Sequence, residues 1–230
     1  MTGTIWELAV AMAAFIGSHV VLASYGIRTR IIGAIGANGF RGLYSLIALA
    51  LLVWAAIAFH RAPYIELFVP NIGMKHLSLT VMVLACILLV GGYSRRNPTM
   101  FMTPEGERTH VTGIIAITRH PLMWAIGLWA IVHMTANGDA AAWIFFGGLG
   151  LLAFGGAAAQ DRKKRLEMGD ANWQVLTAQT SYFPFAAMIA GRSKVPVSQL
   201  GWGRIAGGIV LYFILLFGHK WVIGVSPLPF

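Results

Sequence analysis

The sequence predicts an all-α integral membrane protein. It is expected to be a bundle of about six transmembrane helices with both termini outside and a cytoplasmic interfacial segment. Three observations predict this. Hydrophobic residues make up 57% of the 230 residues and charged ones 11%, whereas a soluble domain carries about 25% charged residues. Apolar runs recur near the roughly 20-residue length that spans a hydrocarbon core. When alternate loops are assigned to opposite faces, 14 of the 17 Lys and Arg residues fall on one side, which marks that side as cytoplasmic. The mean hydropathy of +0.71 and the 27 glycines agree, since lipid solvates apolar surface and small residues let helices approach closely.

The apolar segments run over about 5–24, 42–59, 77–93, 114–135, 141–159 and 205–223. The first lacks a positively charged lead-in and a small-residue cleavage pattern, so it is expected to stay as a helix. The third can extend upstream through His76. The fourth is interrupted by Arg119, His120 and Pro121. Pro121 suits the first turn of a helix over about 121–135, which places Arg119 and His120 in a wet or protein-lined interface. The basic side collects Arg28, Arg30, Arg41, Arg95, Arg96, Arg108, Arg119, the run Arg162-Lys163-Lys164-Arg165, Arg192, Lys194 and Arg204. Arg61, Lys75 and Lys220 fall opposite. In a bacterium this describes a multi-pass protein of the inner (plasma) membrane.

The longest polar stretch, 160–204, opens with Asp161 and four cations, which ends the lipid-embedded part of a helix at the membrane surface. Trp173, Tyr182, Phe183 and Phe185 then read as an interfacial helix and turn. No internal repeat or low-complexity linker interrupts the chain, so residues 1–230 read as one domain. The net charge of +9 is accounted for by topology, and no basic, aromatic-interleaved face outside the apolar segments points to nucleic acid. The single cysteine, Cys86, builds neither a disulfide framework nor a thiolate metal site.

Polar groups inside a bilayer need partners or a purpose. His19 lies in the first segment, His60 closes the second, His120 and His133 flank the fourth, and His219 is near the end of the sixth. One membrane histidine is ordinarily a hydrogen-bonded packing residue. Several together point to metal or haem, because neutral imidazole is a good axial ligand. Two axial nitrogens on one iron lie about 4 Å apart. His60 and His133 both sit toward the outer face, whereas His19 and His133 differ by about 10–15 Å in depth at 1.5 Å per residue. Spacing therefore favours His60 with His133. Arg119 and His120, at the cytoplasmic mouth, suit either a ligand carboxylate or phosphate or simple headgroup anchoring. Asn137-Gly138-Asp139 reads as a tight turn, and Asp161 as a surface ion-pair partner. The patches Gly147-Gly148 and Gly155-Gly156 read as packing positions. No Walker loop, zinc-protease motif or nucleophile elbow is present.

Taken together, several motifs resemble the NnrU-type membrane proteins. The longest is Ile117-Thr118-Arg119-His120-Pro121-Leu122-Met123-Trp124, continuing through Leu128-Trp129-Ala130, His133 and Ala136-Asn137-Gly138-Asp139. Gly17-Ser18-His19, Phe40-Arg41-Gly42-Leu43-Tyr44-Ser45-Leu46, Asn97-Pro98-Thr99, Asp161-Arg162-Lys163-Lys164 and the ending Gly218-His219 through Pro229 join it. The resemblance implies a role linked to denitrification, through expression or activity of nitrite and nitric oxide reductases. That family is similar to the 15-cis-zeta-carotene isomerases, which are haem b membrane proteins. This implies iron ligands at His19 and His133, with a further histidine at His60. Where the isomerases carry a cysteine three residues before the last histidine, this chain has Ala130. A more distant similarity runs to the isoprenylcysteine carboxyl methyltransferases. There an Arg-His-Pro motif, matched by Arg119-His120-Pro121, and a segment echoed by Glu167, Gly169, Trp173 and Pro184 hold S-adenosylmethionine. The paired glutamates of those enzymes are replaced near Asp161 by basic residues.

The leading expectation is an NnrU-like inner-membrane protein that binds haem b. Its cofactor residues would be His19, His60, His133, Arg119 and His120, with His19, His60 and His133 as candidates for the iron. Whether it is an enzyme is left open, the options being a haem-dependent isomerase or a redox protein. Two alternatives stand beside it. One is an S-adenosylmethionine-dependent small-molecule methyltransferase. The other is a non-enzymatic membrane partner in reductase maturation. The expected partners are the lipid bilayer, a hydrophobic small molecule and denitrification proteins.

Overall fold

The computed structural model describes residues 3–93, 111, 113–193 and 197–229. Arg95, Arg96, Arg108, Lys194 and Asn97-Pro98-Thr99 lie outside the described residues. The helices are α1 (Ile5–Ala23), α2 (Tyr25–Arg61), α3 (Ile72–Gly92), α4 (Pro121–Asn137), α5 (Ala140–Met168), α6 (Asp170–Gln179), α7 (Ala186–Ile189) and α8 (Trp202–Ile223). Two 3-10 turns, Gly113–Ala116 and Val197–Leu200, join them. Among the described residues there is no strand, only an isolated bridge between Glu66 and Asp139.

Among the described residues five helices, α1, α2, α3, α5 and α8, are long and apolar enough to cross a membrane. This is a multi-pass, lipid-contacting chain. The fourth predicted segment is not one continuous helix. Its first part is the 3-10 turn, and α4 begins only at Pro121 and has 17 residues. Proline lacks the N–H that a helix interior needs, so the helix starts there instead of running through it.

Other helix ends also depart from the hydropathy edges. α2 begins at Tyr25, well before the predicted 42, and runs for 37 residues with a break at Gly36, where φ is 74° and ψ is 167°. α5 continues past the predicted 159 to Met168. Hydropathy locates the lipid-embedded part of a helix. Arg and Lys end that part, yet they are good helix formers, so α5 continues beyond it, whereas in α2 the stretch before Gly36 is a separate helix across a kink.

Packing divides the chain into two units, with the division falling inside α5. The first comprises Met1–Pro70 and Asn137–Leu152. Here Thr4 caps α1 by accepting the Glu7 N–H at 3.1 Å, and Leu8, Ala11, Met12 and Phe15 form its buried face at helical spacing. Phe59 stacks on Phe145 with centroids 4.9 Å apart. The Asn137-Gly138-Asp139 turn forms as its residue types predict. Gly138 adopts φ 69° and its carbonyl accepts the Leu67 and Phe68 N–H groups. A Cβ at Gly138 would strike the Phe68 carbonyl. Asp139 caps α5 through the Ala142 N–H at 3.0 Å.

The second unit comprises Asn71–Ala136 and Ala153–Phe230. α3 packs on α8, and the approach is close because a Cβ at Gly208 would lie 2.6 Å from the Ile87 Cα. Asn71 caps α3 by accepting the Met74 N–H. The Ser78 hydroxyl donates to the Met74 carbonyl at 2.9 Å and also lies 3.3 Å from the Val132 carbonyl. A core of Leu88, Ile114, Ile115, Ala125 and Leu176 fills this unit and carries the loop that precedes α4.

Candidate functional site

The segment before α4 is held by main-chain bonds before any side chain acts. The Arg119 N–H donates to the Ser181 carbonyl at 3.1 Å, and the Phe185 N–H donates to the Ile117 carbonyl at 2.8 Å. The Thr118 hydroxyl donates to the Tyr182 carbonyl at 2.7 Å and accepts the His120 N–H. This lacing fixes Arg119 and His120 against the 180–185 turn, which the sequence reads as interfacial.

Both side chains then converge on Asp161 of α5. Arg119 donates through Nε at 2.8 Å to Oδ1 and through Nη2 at 2.5 Å to Oδ2. His120 Nε2 lies 2.6 Å from Oδ1. The side-chain exposures of Arg119, His120 and Asp161 are 12%, 0% and 18%, so this is a largely buried network. The Arg119 guanidinium also lies 5.6 Å from the Trp173 ring centre. Burial, and then the Asp161 charge, push the Tyr182 phenol above its ordinary value, and its hydroxyl donates to the Phe154 carbonyl at 2.8 Å. The carboxylate that Arg119 and His120 hold is therefore the chain's own. His120 Nδ1 and Trp124 Nε1 are buried with no hydrogen-bond partner among the described residues. A groove of about 560 Å³ opens next to the network, lined by Gly155, Ala158, Ala159, Asp161, Arg162, Arg165 and Trp173.

The histidines present a different chemistry. In the first unit, His19 Nδ1 lies 2.8 Å from the Phe15 carbonyl, and its ring meets Tyr44 edge-on at 5.3 Å. His60, in the same unit, is exposed at the end of α2 beside Val53, Ile57 and Arg61. In the second unit, His133 Nδ1 lies 2.7 Å from the Trp129 carbonyl. His219 Nδ1 lies 2.6 Å from the Val225 carbonyl. A carbonyl only accepts, so Nδ1 carries the proton in each of these three rings and the lone pair falls on Nε2. That is the arrangement by which proteins orient an imidazole as a metal ligand. His19 and His133 share this tautomer, and His60 is exposed at the end of its helix.

Within the second unit, the His133 ring sits 6.4 Å from the His219 ring, with planes 29° apart. Sequence reasoning placed His219 near a helix end without assigning it a role. The available signal was positional, because His19, His133 and His219 each lie four residues before the end of their helix. In the sequence Asp161 reads as a surface ion-pair partner, because its partners are 41 and 42 residues away.

The comparisons bear on identity. An 85-residue stretch, 37% of this chain, is 40% identical to a protein from Zea mays named 15-cis-zeta-carotene isomerase, chloroplastic. The stretch covers 23% of that protein, so the chain spans under a quarter of this curated relative. No solved structure matches. A family model described as NnrU protein matches residues 7–227. Since this match leaves out only the first six and last three residues, the chain belongs to the NnrU family.

Proposed function

We propose that this chain is a haem-binding membrane protein that supports denitrification from the bacterial inner membrane, with both termini on the periplasmic side. The observation that carries the reading is the shared state of His19, His133 and His219. Each sits in an apolar helix with Nδ1–H directed at a main-chain carbonyl, the tautomer in which Nε2 is the basic nitrogen. Bound haem would supply one-electron redox chemistry or diatomic-gas binding. The chain's own contribution is to orient the imidazoles, to exclude water through the surrounding apolar helices, and to hold α4 in place through the Arg119–Asp161 network. The similarity to the carotene isomerase supports isomerase-like chemistry as a variant of this reading. Ala130 in place of the isomerase cysteine argues for a redox or gas-responsive role over isomerisation.

The test is the absorption spectrum of the protein purified from haem-replete cells in detergent. A Soret band that shifts on reduction is the expected result. A preparation without one, before and after haemin addition, overturns the proposal.

A second reading, S-adenosylmethionine binding, has one observation in its favour, the groove bearing Trp173, Arg162 and Asp161. Against it, the Arg119 and His120 donors are already directed at Asp161. Calorimetric titration of S-adenosylmethionine into nanodisc-embedded protein separates the two readings, and binding heat would favour the methyltransferase. A non-enzymatic role in reductase maturation is the outcome if neither ligand binds but deletion lowers nitrite or nitric oxide reductase activity.

A further inference from the structure

We infer that the groove between α5 and α6 is a binding site for an anionic glycerophospholipid, its phosphate paired with Arg162 and Arg165 and its acyl chains following Gly155, Ala158 and Ala159. The inference is independent of the haem reading. It needs only that α5 leaves the hydrocarbon core near Asp161.

Three observations carry it. The first is how the groove crosses the membrane boundary. Gly155, Ala158 and Ala159 come from the apolar part of α5, and Arg162 and Arg165 from the charged run that follows. Their spacing sets them along one face of the helix. The small residues leave that face open, since a Cβ at Gly155 would meet nothing within 4 Å. The volume of about 560 Å³ falls in the roughly 300–1,000 Å³ range of ligand sites. A phospholipid carries the same order of groups, apolar chains and then a phosphate. A free phosphate would leave the apolar half of the groove unfilled.

The second observation is charge. The carboxylate in the groove, Asp161, is already matched by Arg119 and His120, so it does not turn an anion away. Arg165 holds Asp170 through Nε, an exposed pair that a phosphate can displace at little cost. Arg162 is exposed and makes no ion pair among the described residues. Arg119 and residues 161–170 together carry five Lys or Arg against three Asp or Glu. Excess cations where a helix leaves the membrane attract anionic headgroups. The third observation is the opposite wall. Gly169 adopts φ 78° between α5 and α6. Its N–H donates to the Arg165 carbonyl at 3.0 Å, and its carbonyl accepts the Trp173 N–H at 3.0 Å. This turn brings Trp173 to the groove, where the Arg119 guanidinium lies 5.6 Å from its ring centre. An indole is suited to the headgroup level of a bilayer.

The experiment titrates phosphatidylglycerol or phosphatidylcholine of identical chains into the detergent-solubilised protein and reads bound lipid by native mass spectrometry. Wild type is compared with Arg162→Gln, the double variant Arg162→Gln/Arg165→Gln and Gly155→Leu. Lys220→Gln, an exposed cation on α8, is the control for lost charge. A size-exclusion profile checks that each variant folds. Wild type and K220Q are expected to bind one phosphatidylglycerol far more tightly than phosphatidylcholine. R162Q is expected to weaken phosphatidylglycerol binding about fivefold, and the double variant roughly twenty-five-fold, leaving it close to phosphatidylcholine. Gly155→Leu removes no charge and puts a better helix former at an open position. It is expected to lose phosphatidylglycerol binding because the leucine fills the groove. Wild-type phosphatidylglycerol binding in the double variant, or equal binding of the two lipids by wild type, overturns the inference. Glycerol 3-phosphate is the soluble competitor. Failure to displace the lipid at equal concentration supports a lipid site, and displacement by it overturns the lipid assignment in favour of a free phosphate ester.

Discussion

Two polar clusters of the second unit differ in how their groups are paired. In the Arg119–His120–Asp161 cluster the charges meet one another: a guanidinium and an imidazole face one carboxylate within 2.5–3.0 Å. In the His133–His219 pair each ring directs its Nδ1 at a main-chain carbonyl, at 2.7 and 2.6 Å. The first arrangement is self-contained and holds the start of α4 to α5. The lesson is that burial alone does not mark a ligand site. Arg119 and His120 stand out in the sequence as much as the other polar residues, and in the structure both meet Asp161.

The comparison is broken most directly at Asp161. Asp161→Asn leaves Arg119 without its counter-charge in a largely buried place and should cost about 3–5 kcal/mol. Urea or dodecyl sulfate unfolding of the purified protein reads this as a large fall in midpoint. A small effect would mean that the cluster is not structural. Haemin affinity measured on whatever fraction stays folded should change far less than stability does.

Next in size is Gly208→Val. Any side chain there meets the Ile87 main chain, so α8 must move off α3 at a cost of about 1–3 kcal/mol. Because α8 carries His219, this variant should also lose haemin affinity while leaving the Asp161 network intact. Unchanged binding with reduced stability would separate α8 placement from the ligand site.

His133→Gln should do the reverse of Asp161→Asn. It removes a ring whose main-chain bond is worth about 0.6 kcal/mol on the scale of intramembrane hydrogen bonds. The apo protein should therefore unfold almost as wild type does, with haemin binding lost. The smallest expected effect is at Arg165. It bonds to Asp170 at 2.6 Å and holds that carboxylate below its usual range, but the pair is exposed and solvent-screened. Arg165→Ala should leave the unfolding midpoint unchanged, and a clear drop would show that the α5–α6 junction depends on this pair.

Much of the fold was legible because lipid burial acts on long runs of residues. The apolar segments mark five helices that match that reading, and Pro121 marks the start of α4. The ends were less legible for a physical reason. Arg28, Arg30 and the Arg162–Arg165 run are incompatible with the hydrocarbon core but compatible with a helix, so α5 extends past its apolar part and a further helical stretch precedes the Gly36 kink of α2. The site divides in the same way. Histidines in apolar helices stand out in a sequence because they are costly there. The Asp161 partnership does not stand out, because nothing local to Asp161 signals contact with residues about forty positions earlier. Nor does the His133–His219 pairing, since it depends on which faces of α4 and α8 meet.

The central claim is that these membrane imidazoles are prepared as ligands. It is tested most directly by the haem content of protein purified from haem-replete membranes, assayed as the pyridine haemochrome in wild type and His133→Gln. The account predicts haem copurifying at a fixed ratio to wild-type protein and largely absent from the variant. Equal haem in both, or none in either, would contradict it.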